Sequence, residues 1–547
     1  MRASSKLGAH FKKVLKYLET ILNKNLERAK NPEATGISSK VINEMLQEME
    51  REDCELHSLM ILRHGKVAVE TYQAPLTRED LHMVYSVSKS FLSTAFGFTL
   101  DEGLLTKETK FLDIFPDYKP KKQDKYLEKL TIGHLVSMTS GKAASVKGRE
   151  EKDWLKIFID AKWAFEPGTD WRYINDNFYV AAAAITRVTK MSVTEYLTPR
   201  LFEPLGIDVP VWEKSPTGTE AGGWGLFLKT EDIAKLILCY MNGGKYNGVQ
   251  VIPEWWTKEA TSYQNDNSSS QSKSDCKAGY GYGFWRCAGM KNTYRCEGLY
   301  SQYAIAIPDY DACVITTSSN SNLQQTLDII WKYIEKSFID ETDTEDSVKC
   351  ELAPEESPIV TERSSLEKEI EGKVYALRKP IFLNKAVHIP VSSLPMPVVY
   401  YLENRGGNMT DISFKFNEYG FHFSWTEDGD EKNTIPVGMN GTALNGEIHL
   451  SGLTYKVISD AHWEDENTLT ITIRALCAVA KRILTFKFDG DKITMYPDIY
   501  PGLEKKARII GDTLKNVLKG AYFHAWIDFL VPRIKKILFP KHTGRCR

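Results

Sequence analysis

A serine and a lysine stand three residues apart in Tyr85-Ser86-Val87-Ser88-Lys89-Ser90-Phe91, at the head of an apolar run that extends to Leu100. At helical spacing both side chains share one face. A serine hydroxyl is a weak nucleophile that needs a neighbour to take its proton and a positive field to hold the alkoxide. Lys89 and the first-turn N–H groups of the helix meet both needs. The plainer reading of the same residues is a helix cap followed by a solvated charge. A lone S-x-x-K does not decide between them.

Two further stretches bear on the choice. In Phe165-Glu166-Pro167-Gly168-Thr169-Asp170-Trp171-Arg172-Tyr173-Ile174-Asn175, a Pro-Gly turn leads into an apolar helix from Phe178 to Val188. Tyr173 suits a second proton carrier, and Asn175 suits either a donor to a substrate carbonyl or an anchor for Lys89. The pair also suits a plain turn. Farther on, Gly298 reads as opening a strand that runs to Ile307 and pairs with Ala312 to Thr317 across Pro308-Asp309-Tyr310-Asp311. An edge N–H there, with that of Ser86, would form an oxyanion hole; a glycine that only relieves crowding is the other reading. A Ser-His-Asp arrangement finds no support: the only histidine between Ser86 and Phe338 is His134, in an apolar segment where it reads as a core or capping residue. Neither a G-x-S-x-G elbow nor an H-E-x-x-H metal motif occurs.

Ser86-Val87-Ser88-Lys89, Tyr173-Ile174-Asn175 and the Gly298 stretch, in this order, resemble the three motifs of the β-lactamase-related serine hydrolases. These include class C β-lactamases, D-alanyl-D-alanine peptidases, esterases and 6-aminohexanoate-dimer hydrolases. Leu130 to Gly141, Gly222 to Leu226 with Thr230-Glu231-Asp232, and Gly279 to Gly283 extend the resemblance over roughly residues 55 to 337. It implies a sheet backed by helices with a helical lobe, and no metal or organic cofactor. It also implies Ser86 as the acylated nucleophile, Lys89 and Tyr173 as a shared base, and the N–H groups of Ser86 and Leu299 as the oxyanion hole. The third motif departs from the family's frequent Lys-Thr-Gly, being Cys296-Glu297-Gly298. An inward Glu297 would repel a substrate carboxylate, and the following Leu-Tyr-Ser-Gln is closer to the esterase and amidase branch.

Around these motifs the expected organisation has five parts. An N-terminal helical segment, 1–50, contains an amphipathic helix over 7–28 and another over Val41 to Met49. The α/β (α+β) serine hydrolase domain, 51–338, has an antiparallel sheet and begins with a hairpin whose turn is His64-Gly65. Residues 339–365 form an acidic linker: Asp340 to Glu356 carries eight acidic residues against one lysine. From 366 to 500 come short β-rich runs, Val398 to Leu402, Ile412 to Phe416, Phe421 to Trp425, Thr468 to Ile473 and Ile483 to Phe488, which predict an all-β barrel or sandwich. The last part, 501–547, holds eleven Lys or Arg against three Asp or Glu and reads as a basic amphipathic C-terminal helix. Such a helix either touches anionic lipid as a peripheral contact or docks on its own barrel.

At 547 residues the chain exceeds one ordinary core, and 42% hydrophobic with 26% charged residues is the composition of a globular protein. A net charge of −2 supplies no field for nucleic acid. Nine cysteines without a C-x-x-C pair indicate neither a disulfide framework nor zinc, and reduced thiols point to a cytoplasmic location. No signal-peptide h-region or membrane-spanning run is found. The expected function is cleavage of an ester or amide bond in a small molecule, through an acyl-enzyme on Ser86. Alternatives are an acylating sensor, a non-catalytic scaffold, and a β-lactamase; natural substrate and oligomeric state stay open.

Overall fold

The computed structural model describes residues 25–118, 124–143, 153–271, 273–342, 346–355, 357–378, 409–427, 431–450, 453–502, 539 and 541–547. The chain divides into two compact units, one built mainly on residues up to 353 and the other mainly on 354–547.

The first unit comprises α1 (Ser39–Arg51), β1 (Leu56–Arg63), β2 (Lys66–Tyr72), β3 (His82–Met83), α2 (Ser88–Asp101), α3 (Asp176–Thr189), β4 (Phe227–Leu228), α4 (Thr230–Met241), β5 (Trp285–Arg286), β6 (Tyr294–Gly298), β7 (Gln302–Ile307), β8 (Ala312–Ser318) and α5 (Leu323–Ser337), joined by shorter turns. Six strands form one antiparallel sheet in the order β2-β1-β8-β7-β6-β5. Its strands read as near-continuous apolar runs because helices cover both faces. Leu59, Ile61, Tyr303, Ile305 and Val314 face α1 and α5, which contribute Ile42, Met45, Met49, Leu327, Ile330 and Ile334 to a common core. The alternate residues, among them Met60, Ala304, Ala306 and Ile315, are equally buried, on the face where α4 lies. The β1-β2 turn places His64 at φ 53° and Gly65 at φ 74°, the two consecutive left-handed residues of a type I′ turn.

The helix that follows Ser86 is buried on all sides: every residue of α2 from Ser88 to Thr99 is buried. Its polar side chains therefore bond inward. Ser90 Oγ donates to the Gly283 carbonyl at 2.8 Å and Ser93 Oγ to that of Tyr282 at 2.5 Å, which ties the Gly279 to Gly283 loop to the nucleophile helix.

The second unit is a barrel. Its strands are β9 (Val374–Arg378), β10 (Thr410–Phe416), β11 (Gly420–Glu427), β12 (Glu431–Gly438), β13 (Leu444–Leu450), β14 (Leu453–Asp465), β15 (Thr468–Ala475), β16 (Lys481–Asp489), β17 (Lys492–Tyr500) and β18 (His542–Cys546). Hydrogen bonding runs β12-β11-β10-β9-β18-β17-β16-β15-β14-β13, and a parallel bridge from Gly438 to Asp460 joins β12 to β14, closing a ring of nine strands. The interior is filled by side chains: Phe414 meets the rings of Phe421, Phe423, Phe486 and Phe488 at 5.4–5.8 Å. Toward one end, Arg482 pairs with Glu427 at 2.8 Å, and Trp425 Nε1 donates to the same carboxylate at 2.9 Å. That leaves the buried pair with the hydrogen bonds it needs.

Two expectations change. The chain's last residues are not helical: His542–Cys546 is a strand that pairs with both β9 and β17, since without it the ring would stay open. Residues 503–538 and 540 of the expected C-terminal helix, the run from Val398 to Leu402, and the N-terminal helix up to residue 24 lie outside the described residues. The acidic linker is also not simply solvated. The Val348 N–H donates to Ser39 Oγ at 2.9 Å, Asn43 Nδ2 to the Lys349 carbonyl at 3.2 Å, and the Leu352 N–H to Thr71 Oγ1 at 3.0 Å. Cys350 and Leu352 pack against the first unit's core, so this acidic stretch has an apolar inner edge that composition hides.

Candidate active site

Ser86 occupies a short turn, Tyr85–Val87, immediately ahead of α2. Tyr85 has φ 46°, a conformation that costs an aromatic residue energy and persists only where the surroundings over-determine it. Here Ser88 Oγ donates to the Tyr85 carbonyl at 2.5 Å, and the Tyr85 ring meets Tyr300 edge-on at 5.5 Å. Tyr85, Val87 and Ser88 are buried, whereas Ser86 between them reaches solvent. The turn thus presents the hydroxyl at the tip of a rigid element.

Lys89, one helical turn on, is 1% exposed. Its Nζ lies 2.8 Å from Ser86 Oγ, 2.7 Å from Asn175 Oδ1 and 2.6 Å from the Gly223 carbonyl oxygen. Burial pushes its pKa well below the usual lysine value, because a charge there has lost its hydration. Asn175 Oδ1 and the Gly223 carbonyl oxygen can only accept, so each takes an N–H of Lys89, and the same nitrogen stays within hydrogen-bond reach of Ser86 Oγ. Gly223 is a requirement of close approach. A Cβ there would stand 3.0 Å from the Asn175 carbonyl oxygen and 3.1 Å from Phe178 Cβ.

Tyr173 hydrogen-bonds Ser86 as well, and its ring lies 4.9 Å from Lys89 Nζ. It stands in an aromatic wall: Trp285 stacks on it at 5.4 Å and 26°, Tyr280 meets it edge-on at 6.4 Å, and Trp171 packs at 6.3 Å. Burial drives the Tyr173 pKa up, with the Ser86 hydrogen bond working against the shift and the Glu297 carboxylate adding to it. The phenol therefore keeps its proton at neutral pH, unlike the phenolate that a shared base would need in the resting site.

Gly298 ends β6 instead of opening a strand, and β6 turns straight into β7 through Leu299, Tyr300 and Ser301. Tyr300 and Ser301 adopt φ 63° and 64°, so the hairpin is tight enough to leave no strand start at Gly298. A Cβ on Gly298 would lie 2.4 Å from the Val84 carbonyl oxygen, so the glycine lets β6 lie against the nucleophile turn. Leu299 is half-buried beside it. Glu297 is 10% exposed and its Oε2 is held by Arg295 at 2.7 Å from Nε and 2.6 Å from Nη2. Arg295 is wholly buried, 5.7 Å over the Trp285 ring.

The six expected site residues thus lie at three places: Ser86 in the turn before α2 and Lys89 in its first turn, Tyr173 and Asn175 in the loop that enters α3, and Gly298 and Leu299 at the end of β6 and the hairpin after it. His134 is not among them: Thr131 and His134 form a capping box at the helix Ile132–Val136, the Thr131 N–H donating to His134 Nδ1 at 3.2 Å. Sequence reading missed Gly223, Trp285 and Arg295. The first acts through a backbone carbonyl and leaves no side-chain signature beyond the Gly222-Gly223 pair; the third was legible as a cation two residues from Glu297 on the same strand face. Among the described residues no group of three or more His, Cys, Asp or Glu is placed to hold a metal ion, and no helix is long and apolar enough to cross a membrane.

Comparison with known proteins places this arrangement. The β-lactamase family model matches residues 46–335. A 6-aminohexanoate-dimer hydrolase of Paenarthrobacter ureafaciens is 23% identical over 218 residues, 37% of this chain and 56% of that protein. A β-lactamase of Escherichia coli strain K12 is 27% identical over 155 residues, 28% of this chain and 40% of that protein. This chain thus spans 40% to 56% of the length of those two relatives. Among solved structures, the penicillin-binding protein of Bacillus halodurans superposes with a TM-score of 0.42 at 18% identity, covering 53% of this chain and 99% of that one. Since the matched region takes in more than half of the sequence, from within α1 to the helix after the Gly298 hairpin, the chain belongs to the β-lactamase family.

Proposed function

We propose that the protein cleaves an ester or amide bond in a small molecule through an acyl-enzyme on Ser86. The observation that carries this reading is the buried Lys89 amine, its pKa lowered by that burial, held by Asn175 and the Gly223 carbonyl and 2.8 Å from Ser86 Oγ, where its deprotonated form can take the hydroxyl proton. In the acylation step Lys89 takes the Ser86 proton as Oγ attacks the carbonyl carbon, and the backbone N–H groups of Ser86 and Leu299 receive the developing oxyanion. The resulting ammonium lies beside the Tyr173 ring, so Tyr173 passes its own proton to the leaving oxygen or nitrogen and is reprotonated from Lys89. Water then attacks the acyl carbonyl by the same proton path in reverse. In this scheme Asn175 anchors the lysine, the role its hydrogen bond to Nζ supports.

The relative named as a 6-aminohexanoate-dimer hydrolase supports a hydrolytic role and the amide alternative. A β-lactamase role is the weaker reading, because Cys296-Glu297-Gly298 offers a carboxylate where many β-lactamases and peptidases of the family have Lys-Thr-Gly. Rapid mixing with a panel of short-chain 4-nitrophenyl esters, amino-acid amides and a chromogenic β-lactam distinguishes the roles. A burst followed by steady product release from at least one ester or amide, absent in Ser86→Ala, is the expected result. A single stoichiometric burst without turnover identifies an acylating sensor, and no Ser86-dependent burst identifies a scaffold.

A further inference from the structure

We infer that Ser88 is a positioning residue whose hydroxyl aims the Ser86 turn at the reacting carbonyl. The inference rests on the hydrolase reading above and concerns how the nucleophile and its oxyanion donor are held. Its observation is a break in a strand ladder. β3 and β4 pair antiparallel, His82 with Leu228 and Met83 with Phe227, and the Val84 N–H continues the ladder to the Leu226 carbonyl at 2.9 Å. Such a pair exchanges two hydrogen bonds, so the Leu226 N–H would return to the Val84 carbonyl. That carbonyl instead accepts the Val87 N–H at 3.1 Å, where the chain bends to present Ser86. Ser88 Oγ stands in for it, accepting the Leu226 N–H at 3.3 Å while donating to the Tyr85 carbonyl at 2.5 Å.

The two ends of this link differ in what they fix. Leu226 closes a run that is itself held: Trp212 Nε1 donates to the Trp224 carbonyl and the Glu213 N–H to the Gly225 carbonyl, both at 2.8 Å, and the Gly223 carbonyl in the same run takes a Lys89 N–H at 2.6 Å. Tyr85 is the strained end, at φ 46°. Its carbonyl and the Ser86 N–H belong to one planar peptide unit, so holding the carbonyl aims the N–H, one of the two oxyanion donors. Ser88 and Leu226 are both 0% exposed. Removing the hydroxyl therefore deprives the buried Leu226 N–H of its partner and weakens the hold on the Tyr85 carbonyl. The peptide plane is then free to rotate, whereas Lys89 stays on Asn175 and Gly223. What is lost is the aim of Ser86, not the surroundings of the amine.

Acylation by a 4-nitrophenyl ester tests this, with rates expressed per Ser86 labelled to completion by a fluorophosphonate. In Ser88→Ala the acylation rate at saturation should fall at least about tenfold. The half-saturating ester concentration should stay within about threefold of the parent's. The midpoint of rate against pH should not move, because Lys89 keeps its burial and its two acceptors. General loosening of the site reads differently: water reaching Lys89 would raise its pKa and carry the midpoint upward. Should Ser88→Ala fail to fold, Ser88→Cys, which fills the space with a weaker donor and acceptor, is judged by the same measures. A loss of less than about tenfold, a loss carried by half-saturation, or a midpoint shifted upward overturns the inference. Ser86-dependent acylation by the parent leaves the hydrolase reading intact in each of those cases. Absence of Ser86-dependent acylation in the parent overturns both.

Discussion

Lys89→Met lowers kcat/KM on a neutral ester by roughly 10⁴-fold or more. The loss is this large because the scheme gives Lys89, 2.8 Å from Ser86 Oγ, the task of taking the hydroxyl proton, and burial rather than a nearby charge is what lowers its pKa. The sign of the pH dependence follows. Protonated Lys89 has no lone pair, so the parent's rate is low in acid, rises as the amine loses its proton, and levels off well below the ordinary lysine pKa, since the shift is downward. Stopped-flow rates from pH 5 to 10 and circular dichroism of the variant check both points. A parent profile still climbing through pH 10, or a folded Lys89→Met variant within tenfold of the parent, would remove Lys89 from the base role.

Tyr173→Phe has the next largest effect, and its size depends on the leaving group. With its pKa raised by burial, Tyr173 holds a proton that the departing group needs. A 4-nitrophenolate leaves without help, so an activated aryl ester should lose about tenfold or less, while an alkyl ester or an anilide should lose roughly 10²–10³-fold. Equal losses across these substrates would make Tyr173 a packing partner of Trp285 instead of the acid. Combining Tyr173→Phe with Lys89→Met should cost little beyond Lys89→Met alone, because the two act on one proton path.

The sequence exposed these roles unevenly, and the reasons are physical. Side-chain chemistry at short separations was legible: Ser86 and Lys89 share a helix face, and Tyr173 and Asn175 sit where a loop enters a helix. The hairpin at His64-Gly65 and the core strands showed in periodicity and turn residues. What stayed hidden acts through the backbone or across long separations. The Gly223 carbonyl holds the lysine in position, yet a carbonyl is common to every residue. Glu297 showed as a charge near the site, but its partner Arg295 gains meaning only from complete burial. The pairing of β18 with β9 joins residues near 545 and 376, and no local pattern announces it. The strand after Gly298 shows in the sequence, though it begins at Gln302 instead of Gly298, while the one before it does not show, because Tyr294 to Cys296 lacks the aliphatic alternation that marks β7.

Mass spectrometry of the protein quenched in acid during turnover of a slowly hydrolysed ester tests the account at its centre. The prediction is one added acyl mass per chain, mapped to the peptide that holds Ser86, decaying when substrate is exhausted and absent in Ser86→Ala. An adduct on another residue, or one that persists in Ser86→Ala, would contradict it.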